Sequence, residues 1–412
     1  MRVKQIEFKQ FRQFRHFTLA LDPQLTLLTA ANGGGKSTIL DGIAYLLTPY
    51  IQQITGRGTL NLKPHDLRVI PGGHTPPYLQ LSIDTNSGLT WDHTLRRVSK
   101  AGKTKTKLKS HGLKSLRTYL ENRLVDTSRS LSICAYFGQT AATSKRVKTK
   151  LRQHDLRLLA LQGSMDVSMD APWPLKQYVQ QMSPTQKAWL DAAIHRVLPH
   201  LSHLRFDKHG AWILDCHQSP ESTTPLRFKQ LCESDRFLLT LVSHLSTRLM
   251  LANPNRPQPL TGGKGVILID GIERYLHPRQ QQLILPLLMN LFPKLQWIIT
   301  THSPQVITSI PPHHLRMIHG EGAHPSVEQA SFTEGAEAQQ VLKEVLETNP
   351  RPEHLPIVQK LRRYQAMVAQ GSWDRPEALG LRQSLDQWGA EHEPELKRLD
   401  MDIRLKELDR PQ

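Results

Sequence analysis

Leu25-Thr26-Leu27-Leu28 leads into Ala30-Ala31-Asn32-Gly33-Gly34-Gly35-Lys36-Ser37-Thr38, after which Leu40, Ile43, Ala44 and Leu47 recur on one helical face. The order is apolar strand, glycine-rich turn, amphipathic helix, which opens a phosphate-binding α/β unit. The turn matches G-x-x-x-x-G-K-[ST] except that Ala30 stands at the first glycine. Bare glycines let backbone N–H groups close around phosphate oxygens. Lys36 brings a point charge to the β- and γ-phosphates, and the Ser37 hydroxyl suits Mg²⁺. The N-terminus of the following helix adds a favourable dipole. Asn32, Gly33, Gly34, Gly35, Lys36, Ser37 and Thr38 are therefore candidate nucleotide-binding residues, with ATP and Mg²⁺ as the expected ligands.

Outward from this turn, residues 3–8 and 16–21 alternate as strands do. From Gly265 the strand–helix pattern resumes. Val266-Ile267-Leu268-Ile269 ends in Asp270, residues 278–292 read as a helix, Leu295 to Thr301 ends in His302, and Leu315 to Ile318 is a further strand. Such alternation predicts a parallel sheet wrapped by helices. An Asp at the C-terminal end of an apolar strand is where P-loop proteins hold the Mg²⁺ shell, so Asp270 joins Ser37 as a metal candidate. A His ending the neighbouring strand can reach a γ-phosphate. Asp270, His302 and Glu273 are the catalytic candidates.

These motifs together resemble the ABC-class ATPases of the RecF, SMC and OLD type, over about residues 1–50 and 225–330. Three further stretches resemble the stand-alone ATPases of anti-phage systems, those of Septu and of retron operons. They are Cys134-Ala135-Tyr136-Phe137-Gly138, Pro225 to Leu231, and the tail from Glu334 to Pro352. The resemblance implies an α/β fold, a P-loop ABC-type ATPase head with a parallel sheet core. It implies a homodimer or higher oligomer that sandwiches two ATP molecules, each between one protomer's Lys36, Ser37, Asp270 and His302 and its partner's signature loop. It also implies a separate effector nuclease of the HNH type and, in the retron case, a reverse transcriptase with its DNA–RNA product. A RecF-like DNA-repair ATPase is the alternative reading. The expected organisation is an N-terminal ATPase lobe (1–95), a basic, mostly helical insertion (96–224), a C-terminal ATPase lobe (225–330) and an acidic helical tail (331–412).

Two departures from the family pattern bear on mechanism. The family places Glu directly after the strand-end Asp, to orient and deprotonate the attacking water; here that position is Gly271. Glu273 lies two residues on, where relatives often carry an acid as well. The family signature, Leu-Ser-x-Gly-[Glu/Gln/Tyr]-Arg, reads Leu231-Cys232-Glu233-Ser234-Asp235-Arg236 here. Cys232 is a poor hydrogen-bond donor, and Glu233 and Asp235 set negative charge where phosphate is expected. Both departures predict nucleotide binding with slow turnover.

The formal net charge is +17 over 412 residues, and +14 of it falls between Arg96 and Arg157. Lys100, Lys103, Lys105, Lys107 and Lys109 stand nearly every second residue, and Lys145, Arg146, Lys148 and Lys150 form a second cluster. Residues 96–110 read as an exposed loop that contacts phosphate, since aromatic residues for base stacking are almost absent. Residues 331–412 carry 15 acidic against 12 basic residues, a candidate docking surface for a partner. The three cysteines, Cys134, Cys216 and Cys232, are too dispersed for a disulfide framework. No apolar run suits a membrane span and no signal core opens the chain, so a cytoplasmic protein with no membrane partner is expected. His313-His314 and the His200/His203 pair have no acid or cysteine beside them in sequence and read as non-ligating. Asp400-x-Asp402 reads as a solvated helix face.

Overall fold

The computed structural model describes residues 1–56, 60–70, 72–100, 103–126, 129–138, 156–165, 167, 176–207, 211–219, 222–320, 325–390 and 392–408. Its strands in chain order are β1 Val3–Phe11, β2 Phe14–Ala20, β3 Leu25–Ala30, β4 Tyr78–Thr85, β5 Thr90–Lys100, β6 Lys103–His111, β7 Ile133–Phe137, β8 Leu201–Phe206, β9 Trp212–Ser219, β10 Ser222–Arg227, β11 Gly265–Asp270, β12 Leu295–Thr300, β13 Leu315–His319 and β14 Ser326–Glu328. The helices are α1 Lys36–Thr55, α2 Leu113–Leu124, α3 Lys176–Gln181, α4 Pro184–Val197, α5 Glu233–Ala252, α6 Pro259–Gly262, α7 Pro278–Leu291, α8 Pro304–Ile307, α9 Ala338–Glu344, α10 Pro356–Ala369, α11 Pro376–Gly389 and α12 Pro394–Leu408. The chain divides into two compact units, Met1–Val341 and Leu342–Gln412.

The centre of the first unit is a six-stranded sheet in the order β14-β13-β3-β12-β11-β7, parallel except for β14. Every residue of β7, β11 and β12 is buried. That is what a parallel sheet covered on both faces demands, and it explains why these strands read as continuous apolar runs rather than alternating ones. A second, antiparallel sheet runs β2-β1-β4-β5-β6. Its strands alternate instead: in β4, Leu79, Leu81 and Ile83 are buried while the residues between them are not. Helix α1 packs closely on it, with Gly42 against the ring of Phe8. A third sheet, β10-β9-β8, lies in a stretch for which the sequence offered no clear strand pattern.

The basic run is not a loop. Residues 90–100 and 103–111 pair as the antiparallel strands β5 and β6, a hairpin, with Arg96 opposite Lys107, Thr94 opposite Lys109 and Val98 opposite Lys105. Alternating Lys and Thr/Ser has the period of a strand, and the neighbouring strands supply the anchors: Trp91 and Leu95 of β5 are buried, Leu95 beside Leu79 and opposite Leu108. Residues 96–224, expected to be mostly helical, contribute α2, α3 and α4 but also β6 through β10, and β7 belongs to the central sheet.

The second unit folds around Leu361, Tyr364, Val368, Ala378, Leu385, Leu396 and Leu399 from α10, α11 and α12, with Trp373 from the connection between α10 and α11. Arg351 clamps Glu393 with two hydrogen bonds of 2.8 and 2.7 Å. Asp400 accepts from Arg382 across the helices, so it is an ion-pair residue of a helix face.

A Cβ at Gly42 would stand 2.4 Å from Phe8 Cζ, and Phe8 is fully buried. Gly42→Ala is expected to cost about 1–3 kcal/mol by overpacking, measured as a lowered urea midpoint at unchanged m-value.

Candidate nucleotide site

The parallel register brings Asp270 beside Thr300 and Thr300 beside Leu28, so β11, β12 and β3 end along one edge. From that edge come Asp270, the turn carrying His302, and the glycine-rich loop. The loop is shaped by what glycine lacks. A Cβ at Gly34 would lie 2.7 Å from Ala30 Cβ, so the methyl at the first loop position fits because Gly34 has none. Gly35 has φ of 92°, and a Cβ there would meet Gln13 and Phe14 within 2.4 Å. Lys36 Nζ donates to Ala30 O (2.8 Å) and Ala31 O (3.1 Å), arching back over the loop. Burial lowers its pKa from the ordinary lysine value, against the opposing charges of Asp270 and Glu273.

Ser37 Oγ donates to Asp270 Oδ2 at 2.9 Å. Thr300 Oγ1 donates to Asp270 Oδ1 at 2.7 Å and accepts the Gly271 N–H at 2.8 Å. Gly271 has φ of 73°, and a Cβ there would stand 2.6 Å from Arg274 Nε. Glu273 is close by, yet both its oxygens are engaged: Oε2 accepts from Thr301 Oγ1 at 2.8 Å and Oε1 accepts the His302 N–H at 3.0 Å. It holds the backbone of the His302 turn. Ser303 Oγ donates to Gln281 Oε1 and Gln281 Nε2 donates to Leu276 O, which fastens the same turn to the start of α7. His302 itself is exposed. Desolvation and the neighbouring Lys36 charge lower its pKa, against the opposing charges of Glu273 and Asp270.

A family profile described as "AAA domain" matches residues 5–187, and a second, "AAA domain, putative AbiEii toxin, Type IV TA system", matches residues 135–308. The chain carries an AAA-type ATPase domain with the fold of an SMC head. The fold likeness is to the SMC head bound to the C-winged helix domain of ScpA, at a TM-score of 0.50 and 12% identity over 81% of this chain and 99% of that one. By sequence the ATPase domain is homologous to the Retron Ec83 probable ATPase of Escherichia coli, 28% identical over 52% of this chain and 38% of that protein. It is 33% identical to the Retron Vc95 probable ATPase of Vibrio cholerae serotype O1 biovar El Tor, over 35% of this chain and 28% of that protein. A 60-residue stretch is 43% identical to the Septu protein PtuA of Bacillus mycoides (strain KBAB4), covering 15% of this chain and 8% of PtuA. The chain spans at most 38% of the length of these curated relatives.

Beside the loop of the ATPase domain lies a network that the sequence motifs did not mark. Arg12, at the β1–β2 turn, donates to Asp41 Oδ2 (2.6 Å) and to the buried Asp66 Oδ1 (3.0 Å). Tyr136 OH donates to the other Asp41 oxygen at 2.9 Å. Burial opposes the Arg12 charge, but Asp41 and Asp66 overcome it and raise its pKa above the ordinary value. Thr38 Oγ1 donates to Gln13 Oε1 at 3.2 Å, tying this turn to α1. The partners are remote in sequence; Thr38 and Asp41 follow the glycine-rich turn and Tyr136 lies in a stretch already singled out, but no motif marks Arg12, Gln13 or Asp66.

At the degenerate signature, Cys232 sits at the N-cap of α5 with no side-chain cap. Its Sγ lies 3.2 Å from Ser234 Oγ. Glu233 and Asp235 occupy the first turn, where they complement the helix dipole themselves. His200 Nε2 donates to Asp235 at 2.9 Å, a hydrogen bond that raises the His200 pKa against partial burial.

Lys105, Lys107, Lys109 and Arg96 are exposed and, by strand alternation, share one face of the hairpin. Tyr78 on β4 pairs with Arg96 and is 38% exposed, so an aromatic ring joins this face from a neighbouring strand. Lys100 and Lys103 pair at the hairpin's far end. Lys145, Arg146, Lys148 and Lys150 lie outside the described residues. Arg157, counted in the basic window, is buried and donates to the carbonyls of Arg123, Leu124, Asp126 and Arg129, so it braces the end of α2. Among the described residues, no helix is long and apolar enough to cross a membrane.

The backbone at Gly271 makes a specific expectation. Gly271→Glu places a side chain at positive φ, so it is expected to lower stability by about 1–2 kcal/mol in urea denaturation. Phosphate release is expected to stay within about tenfold of the unsubstituted chain.

Proposed function

We propose that this chain binds ATP with Mg²⁺ and turns it over slowly, as the regulatory ATPase of an anti-phage system. The reading rests on one observation: the binding set is intact while, among the described residues, the strand-end Asp270 is followed by a glycine and both Glu273 oxygens already accept hydrogen bonds. The residues fit the nucleotide. The loop from Asn32 to Gly35 offers bare backbone, Lys36 a cation, and Thr38 and the start of α1 further N–H groups. Ser37 and Asp270, already 2.9 Å apart, would hold the Mg²⁺, which supplies neutralisation of phosphate charge. His302 can donate to a γ-phosphate oxygen. Glu273 acts as a positioning residue, keeping Thr301 and His302 in place through two hydrogen bonds. Without a general base the chemical step loses ~10²–10⁴ in rate.

The homology to retron ATPases and Septu PtuA supports the anti-phage setting. In it, copies of the chain would pair around nucleotide and govern a separate effector nuclease, of HNH type by resemblance. A reverse transcriptase with its DNA–RNA product would be present in a retron. The tail of residues 331–412, with 15 acidic against 12 basic residues, is the proposed docking surface for the protein partner. The β5–β6 face is the proposed nucleic-acid surface, with lysines on phosphate and Tyr78 available to a base.

Four measurements check this. With saturating ATP and DNA, phosphate release is expected to be at least ~10² slower than that of an SMC-head ATPase assayed alongside, and nucleotide binding to be lost in Lys36→Ala. Turnover within about tenfold of that reference would sink the slow-turnover reading. For the hairpin, the triple substitution Lys105→Ser, Lys107→Ser, Lys109→Ser is expected to flatten the slope of log affinity against log salt by ~0.7–0.9 per lost phosphate contact. Tyr78→Ala is expected to weaken single-strand binding selectively, by about 1–3 kcal/mol. A salt slope unmoved by the triple substitution rejects the surface.

A further inference from the structure

Asp22, His313 and His314 meet where β3 and β13 begin, at the opposite end of the central sheet from the glycine-rich loop. Asp22 lies in the turn between β2 and β3. Its Oδ1 accepts the N–H groups of Gln24 (2.7 Å) and Leu25 (3.0 Å), and its own N–H donates to Thr26 Oγ1 (2.9 Å). The carboxylate is thus fixed by the backbone before any ligand arrives. His313 and His314 end the short 3-10 turn Pro312–His314 that delivers β13. Their rings lie 4.0 Å apart, centroid to centroid, at 49°. His314 is buried, with Nδ1 3.0 Å from Leu25 O and 3.5 Å from Asp22 Oδ1. One ligand atom from each of the three residues lies within 4.8 Å of the other two.

We propose that these three residues form a binding site for a divalent late first-row metal ion, zinc or one like it. Two imidazoles and one carboxylate are a donor set that suits zinc and its neighbours and does not suit Mg²⁺ or Ca²⁺, which take oxygen ligands. His314 Nδ1 faces both Leu25 O and Asp22 Oδ1, which holds the ring against the turn that precedes β3. His313 is exposed, giving an ion an entry side and leaving coordination positions for water. Bound metal would staple the turn before β3 to the turn before β13. It would thereby brace from below the strand that carries the glycine-rich loop. The sequence separation of Asp22 from the His pair is why no spacing motif marks it.

The test uses the full chain stripped of metal with a chelator and titrated with Co²⁺ as a spectroscopic probe and with Zn²⁺ by calorimetry, without nucleotide. The expected result is one saturable site per chain, a visible Co²⁺ d–d band, and a rise in melting temperature with Zn²⁺. His313→Ala, an exposed position where loss of the ring leaves the core intact, is expected to weaken binding at least about tenfold and abolish the d–d band. Asp22→Asn, which keeps the side chain's shape, is expected to do the same. Binding weaker than about 1 mM, or a band and affinity unchanged in His313→Ala, would overturn the site and leave His314 as a structural donor to Leu25.

Discussion

Ser37 and Asp270 are separated by 233 residues and joined by one hydrogen bond of 2.9 Å. Most of the first unit is arranged so that this bond can exist. It requires β3 and β11 to run parallel with β12 between them, in a register that ends all three strands together. It requires α1 to begin at Lys36, which in turn requires a loop with no side chain at Gly34. Thr300 completes the constraint from the middle strand by donating to the second Asp270 oxygen while receiving the Gly271 N–H. Three strands and one helix are thus fastened at the point where phosphate and metal would sit, so the site is organised before a ligand enters.

The parts of this arrangement that a sequence can express are those written over short spans. The glycine loop, the apolar runs of β3, β11 and β12 and the polar residues ending β11 and β12 were legible because strand, turn and helix have characteristic periods. What could not be read is what long-range packing decides. Arg12, Asp41, Asp66 and Tyr136 form one network from four separate elements, and no local pattern relates them. The fate of Glu273 is similar: its position suggested chemistry, while the distances commit it to Thr301 and His302. The Lys-Thr-Lys-Thr run was misjudged for another reason. Its alternation has the period of a strand, but hydrophilicity suggested a loop, because the buried anchors Leu79 and Leu95 come from neighbouring strands.

Charge is distributed to match. The lysine face of the hairpin lies on the side of its sheet opposite Leu79, Leu81 and Leu95, so cations are displayed without desolvation. Arginines that are buried, Arg157 and Arg248, instead spend their donors on backbone carbonyls, those of Ala160, Gln162 and Gly163 in the second case. The same residue type therefore serves as an outward-facing cation in one place and as an internal brace in another. Net charge alone overstates the polyanion-facing surface.

The left-handed backbone at Gly271 carries a wider consequence. A motor must break detailed balance, and it does so by making hydrolysis faster than ligand exchange. Under the proposed slow turnover, the pocket works in the other regime, in which occupancy follows the free nucleotide concentration relative to the dissociation constant and returns when that concentration returns. On that reading the element would be a gauge rather than an engine. What it governs would respond to depletion of the cell's nucleotide pool reversibly, without a clock set by its own chemistry.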